Sequence, residues 1–179
     1  MTIGAVLLVA ALSLFIWNRW EDYRAGQSAE DILTQLEEEI SETESGGTEM
    51  TEVEIDGYMY IGYLSIPSLD LELPVMSSWS YAQLKIAPCR YYGSTKTDDL
   101  VIAAHNYTRH FGKLKNLSPG DMVYFTDMDG VTTAYEVVEI DTLNPTAVED
   151  MTSSGYDLTL FTCTYGGQSR VTVRCDRAD

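Results

Sequence analysis

The chain changes texture in steps. Ile3 to Trp17 (IGAVLLVAALSLFIW) is an unbroken uncharged run, closed by Trp17 and Trp20, aromatics of the kind that settle at a membrane interface. At 1.5 Å per residue, a helix from Met1 to Trp17 spans about 25 Å, somewhat short of a hydrocarbon core of roughly 30 Å. No Lys or Arg precedes the run, so a signal peptide competes with an uncleaved anchor whose basic flank lies upstream of residue 1. The anchor is favoured because Arg19 and Arg24 follow directly and no A-x-A-like cleavage site closes the run.

From Glu21 to Asp56 the pattern turns acidic, with a Gly46-Gly47 break, and reads as a stalk. Ile32, Leu33, Leu36 and Ile40 stand at helical spacing behind Ser28, a possible N-cap, so a short amphipathic helix is one expectation. A solvated spacer is the preferred one. Glu37, Glu38 and Glu39 are read as solvated charge rather than as a calcium site.

Beyond Gly57 come short β-type runs separated by turn residues. Gly57 to Pro67 and Leu69 to Val75 alternate around a Pro-Ser break, as paired antiparallel strands do. Ser80 to Ile86 is read as a single helical turn, and the continuous apolar run Leu100 to Ala104 as a strand buried on both faces. Met122 to Thr126 and Thr132 to Ile140 flank an Asp129-Gly130 turn, a hairpin signal. Leu158 to Phe161 and Ser169 to Arg174 form a last pair around Gly166-Gly167. About eight strands in roughly 120 residues predict an all-β closed barrel or sandwich. The expected division is an anchor over residues 1–20, a stalk over 21–56 and a β domain over 57–179.

Composition narrows the function. Of 179 residues, 11 are Lys or Arg and 28 Asp or Glu, a formal charge of −17, and no basic stripe is present to hold a nucleic-acid backbone. Hydrophobic residues at 45%, with 12 Tyr, suffice for a packed core. Three cysteines without a C-x-x-C or a Cys/His cluster speak against a structural metal, so neither metal nor cofactor is expected.

With two His and three Cys in the chain, the candidates for nucleophile and acid/base are few. Cys163 follows the strand from Leu158 and enters a Gly-containing loop; His105 directly follows the buried strand Leu100 to Ala104. Arg170 opens the last strand, where the hairpin can fold it back beside the sulfur. A thiolate is the reactive form of Cys, and a nearby imidazolium or guanidinium favours it. Arg cannot be a base, so its expected role is to stabilise an oxyanion or hold the substrate backbone. If these strands are neighbours, the constellation spells acyl transfer through a thioester.

The wording of the motifs sharpens this. Thr159 to Cys163 (TLFTC) resembles the TLxTC signature of sortases, the membrane-anchored cysteine transpeptidases of Gram-positive bacteria, and continues to RVTVR, similar to that family's Arg-bearing closing strand. Ala103 to Leu114 (AAHNYTRHFGKL) resembles the segment in which the sortase His follows a buried strand. Anchor, stalk, IGYLSIP strand, ELPV strand, His, hairpin, Cys and Arg also come in the family's order, over about residues 58 to 177.

The resemblance implies an eight-stranded sortase-type β-barrel with one or two short helices. It makes Cys163 the nucleophile, His105 the acid/base partner and Arg170 the oxyanion or substrate-holding group. Arg174 is the rival for the last role, on the same strand face but about 13 Å farther from the turn. Thr162 is expected to orient substrate or loop, and Asn106 to help orient His105. His110 has no role in the pattern and is read as an exposed loop residue.

The family cuts an LPxTG-like sorting signal and passes the acyl group to an amine, either a peptidoglycan precursor or a pilin lysine. The implied location is a single-pass cell-membrane protein with its catalytic domain outside. Asp141 to Tyr156 corresponds to the signal-pocket loop; it is short here, a departure from class B enzymes, which carry a helix in it. Neither a C-terminal membrane segment nor an Asp-aromatic lid, common in class C, is seen. Anchoring proteins to the wall is the preferred role, with the subclass open. A peptidase that hydrolyses the thioester, a pilin-polymerising enzyme and a non-catalytic surface binding module are the alternatives. Cys89 and Cys175 are left either as a disulfide or as two free buried thiols.

Overall fold

The computed structural model describes residues 2–40 and 47–178, so Gly46 of the expected stalk break lies outside the described residues. One helix, α1 (Thr2–Ile40), is followed by strands β1 (Val53–Ile55), β2 (Tyr58–Ile66), β3 (Leu71–Met76), β4 (Cys89–Tyr92), β5 (Leu100–Ala104), β6 (Met122–Asp127) and β7 (Thr132–Leu143). A short helix α2 (Val148–Thr152) then precedes β8 (Leu158–Cys163) and β9 (Arg170–Arg177). Neighbouring strands run β2-β3-β4-β5-β8-β9-β7-β6 and the ring closes by β6 pairing back to β2. This is the expected eight-stranded barrel, with β1 added outside the ring as a hairpin partner of β2.

Local chemistry explains the closure. β2 must pair with β3 on one side and β6 on the other, and it kinks at Gly62, whose φ is +142°. A Cβ there would lie 2.0 Å from the Thr126 carbonyl oxygen, so only glycine lets the two backbones meet. The β6–β7 turn is held by Asp127, whose Oδ1 accepts the backbone N–H groups of Asp129 and Val131 at 3.0 and 2.9 Å, while Gly130 takes the positive φ. Leu64, Ile66, Ile102, Phe125, Val137, Leu160 and Val173 fill the barrel. Burying such side chains stabilises by roughly 1.5–3 kcal/mol each before conformational entropy is counted. The 3₁₀ turn Phe111–Asn116 plugs one end with Phe111 and Leu114.

The stalk differs from the solvated spacer its charge suggests. α1 runs unbroken to Ile40, and Ala25, Ala29, Ile32 and Leu36 form one buried stripe at helical spacing. Small residues let the helix approach closely: a Cβ on Gly26 would overlap the Arg109 side chain. Ile32 and Leu36 pack with Ile55, Tyr60, Met76 and Met128. Along Ile3 to Trp17, by contrast, every large apolar side chain is exposed, and α1, which carries this run, is by length and composition a helix that could cross a membrane.

Candidate active site

Strand register assembles the site. β5 and β8 are parallel neighbours with Ala104 opposite Thr162, so His105 and Cys163 each lie one residue beyond that pair on adjacent chains about 5 Å apart. β8 and β9 are antiparallel with Cys163 directly opposite Arg170, which puts both side chains on one face. The three residues named from the sequence therefore gather at one barrel rim. β5 leads into this rim with every residue buried, and β8 is buried from Leu158 to Thr162 before Cys163 becomes half-exposed. A rigid, dry floor thus presents the sulfur at a loop edge.

The remaining candidates separate. Thr162 is 3% exposed, and its hydroxyl donates to the Ala104 carbonyl at 2.9 Å, tying the His strand to the Cys strand from inside. Asn106 is exposed on the groove wall, with its Oδ1 near Gly112. Arg170 Nη1 donates to the Gly167 and Ser169 carbonyls at 3.2 Å and has no carboxylate partner among the described residues. Arg174 lies opposite Thr159, far along the strand, buried and bonded to Thr159 Oγ1 and to the Asp150 carbonyl, the latter at 2.7 Å. These bonds fasten α2, a five-residue helix within the short loop Asp141 to Tyr156, to the sheet.

Two cavities meet at Cys163. One, about 200 Å³, runs past Arg170 between Ala104, Met151 and an aromatic wall. In that wall Trp79 contacts Tyr91 at 5.4 Å between ring centroids, and Tyr91 meets Phe161 edge-on at 5.2 Å. The other, about 590 Å³, lies on the His105 side, between the loop Thr164–Gly167 and α1, which contributes Phe15, Asn18, Arg19, Glu21 and Asp22. Neither the aromatic wall nor the helix wall was named from the sequence. The buried stripe of α1 was visible as helical spacing, but the acidic composition around it pointed to solvent.

Burial pushes the His105 imidazole below its ordinary value; Lys85 adds to this and Glu21 opposes it. The ring is therefore neutral near pH 7 and able to accept a proton. Tyr107 stacks on it, 4.4 Å between centroids and 13° from parallel. His110, expected on the surface, is instead fully buried because α1 crosses above it, with Ala25 and Asp22 as its neighbours, and burial lowers it to about 4. Cys89 and Cys175 are free buried thiols, each pushed up to about 12 by burial, and so inert beside Cys163. Among the described residues no three His, Cys, Asp or Glu side chains converge as a metal would need.

The sequence matches the family model described as "Sortase domain" over residues 64–178. Among solved structures, sortase C1 from Streptococcus suis is 31% identical, with a TM-score of 0.59 over 67% of this chain and 73% of that one. Sortase A from Corynebacterium diphtheriae, a lid mutant, is 30% identical, with a TM-score of 0.57 over 66% and 70%. Sortase C from Clostridium perfringens with the C-terminal cell wall sorting motif shares the fold, with a TM-score of 0.60 at 22% identity over 83% and 90%. No curated protein matches the sequence.

Proposed function

The chain belongs to the sortase family, and from that premise we propose that it is a cysteine transpeptidase that cleaves an LPxTG-like sorting signal and transfers the acyl part to an amine, anchoring proteins to the cell wall. The observation that carries the reading is the register that sets Cys163 opposite Arg170 and beside the end of the His105 strand. The signal peptide lies in the cavity past Arg170, where Ala104, Phe161 and Met151 receive an apolar side chain. The perfringens relative, whose structure contains a cell wall sorting motif, supports a peptide of that class.

In this mechanism neutral His105 takes the Cys163 proton as the sulfur attacks the scissile carbonyl. Arg170 turns from the loop carbonyls to the developing oxyanion, the charge its guanidinium is suited to hold. The imidazolium then returns the proton to the departing amine and leaves a thioester on Cys163. A second amine resolves it. Thr162 acts as a positioning residue through Ala104, and Asn106 lines the cavity on the His105 side of the nucleophile. The apolar part of α1 anchors the chain in the cell membrane with the barrel outside.

The test mixes the full chain in detergent micelles with LPxTG-type peptides, with and without a primary amine, and records intact mass. A Cys163 adduct that moves to the amine is the expected result. An adduct released only to water would replace transpeptidase with peptidase; no adduct with any peptide would remove the LPxTG-like signal.

A further inference from the structure

On the transpeptidase reading above, we propose that the groove between α1 and the His105–Cys163 rim is the amine-acceptor subsite, with Glu21 as the carboxylate that receives the incoming ammonium. A thioester whose acyl chain fills the cavity past Arg170 is open to attack only from another side. The second cavity provides that side: it reaches Cys163, contains His105, and lacks Arg170. One wall is built by α1, so a segment outside the family-matched residues 64–178 supplies part of the reaction centre.

The charges on that wall are differently employed. Asp22 accepts the Arg109 backbone N–H at 3.3 Å and fastens the helix to the His105–Phe111 loop. Glu21 is half-buried, lines the same groove, and its carboxylate has no hydrogen bond or ion pair among the described residues. Its field reaches both His105 and Tyr107. The neighbouring cations are Arg19, on the same wall, and Arg24 and Lys85, which line a smaller cavity together with Glu21 and Tyr107; none of them forms an ion pair with Glu21, and the field of Lys85 acts against His105. A carboxylate with no internal partner, beside a neutral base and a nucleophile, suits a ligand that arrives positively charged and must lose a proton to react.

A primary alkylamine at neutral pH is such a ligand. Its ammonium docks on Glu21, passes one proton to His105, and the freed lone pair attacks the thioester carbonyl. The N–C bond forms, the C–S bond breaks, and sulfur leaves with the bonding pair as thiolate. The second N–H proton goes to solvent, so amide, Cys163 thiolate and His105 imidazolium balance the reactants.

The experiment preforms the thioester on the full chain in detergent micelles at pH 7, then chases it with Nα-acetyl-lysine amide, a cation, or with hydroxylamine, which is uncharged at that pH. Because both chases start from the thioester, acylation does not enter the ratio of their rates. Glu21→Gln is expected to lower the lysine-to-hydroxylamine ratio about tenfold, equivalent to about 1.4 kcal/mol, and Glu21→Asp to restore most of it. An unchanged ratio, whether both nucleophiles slow equally or neither does, overturns the subsite while leaving the transpeptidase reading intact. No thioester on the unmodified chain overturns both.

Discussion

His110 makes the stability of this protein depend on pH, and the size of the effect follows from its surroundings. The ring is fully buried under α1, and neither nitrogen has a hydrogen-bond partner among the described residues. Burial is the main cause of its lowering from 6.5 to about 4; the Ala25 backbone and Asp22 favour the charged form, and His105 disfavours it. The unfolded chain therefore binds a proton between about pH 6.5 and 4 that the folded chain refuses. Stability is full above the unfolded value and falls with decreasing pH across that window, at about 1.36 kcal/mol per unit. From pH 7 to pH 5 the loss from His110 is about 2 kcal/mol. The assay is urea denaturation of the full chain in non-ionic detergent at both pH values, comparing the wild type with His110→Phe. His105, lowered for the same reason, contributes in both proteins, so the difference between them isolates His110. A variant that loses as much stability as the wild type between pH 7 and 5 would refute the reasoning.

Leu36 is 0% exposed between α1 and the barrel, so Leu36→Ala should cost about 2–5 kcal/mol. Faster amide exchange should appear over residues 25–36, and unchanged exchange there would show that the helix does not depend on the contact. Arg170→Lys should lower thioester formation about 10²-fold or more, as loss of an oxyanion donor does, with the melting temperature nearly unchanged. Arg174→Met should do the reverse, losing about 1–3 kcal/mol of stability through the bonds to Thr159 and Asp150; matched losses of activity in both variants would make Arg174 part of the chemistry. Gly62→Ala should destabilise by about 1–3 kcal/mol or prevent folding, because its Cβ meets the Thr126 carbonyl; a variant with wild-type denaturation would exclude the close approach.

What the sequence made legible is what local pattern determines. The β2–β3 pair, the fully apolar β5, the Asp-Gly hairpin and the closing β8–β9 pair all announce themselves by alternation and turn chemistry. The short strands β1 and β4 do not, because three or four residues carry no period and pair only when the barrel is present. His105, Cys163 and Arg170 were legible as strand ends, since a parallel and an antiparallel neighbour of β8 place them together. His110 was not: polarity in a loop suggests exposure, whereas its burial comes from α1 crossing above it, a contact some 85 positions away in sequence.

The docking of α1 changes what the acidic stalk means. As an extended solvated spacer, residues 21–56 could hold the barrel roughly 100 Å or more from the anchor at about 3.3 Å per residue. As a helix, Glu21 lies only about 6 Å along the axis from Trp17, and Phe15, within the apolar run, already lines the groove that contains Cys163. In the proposed membrane-anchored form, the interfacial aromatics Trp17 and Trp20 and the nucleophile therefore stand at nearly the same height. The buried stripe Ala25, Ala29, Ile32 and Leu36 keeps them there, because undocking the helix would expose all four side chains together with Tyr60 and Met76. Anchor and active site are then parts of one packed unit, and substrates must bring the scissile bond and the amine to the membrane surface rather than be reached by a tethered domain.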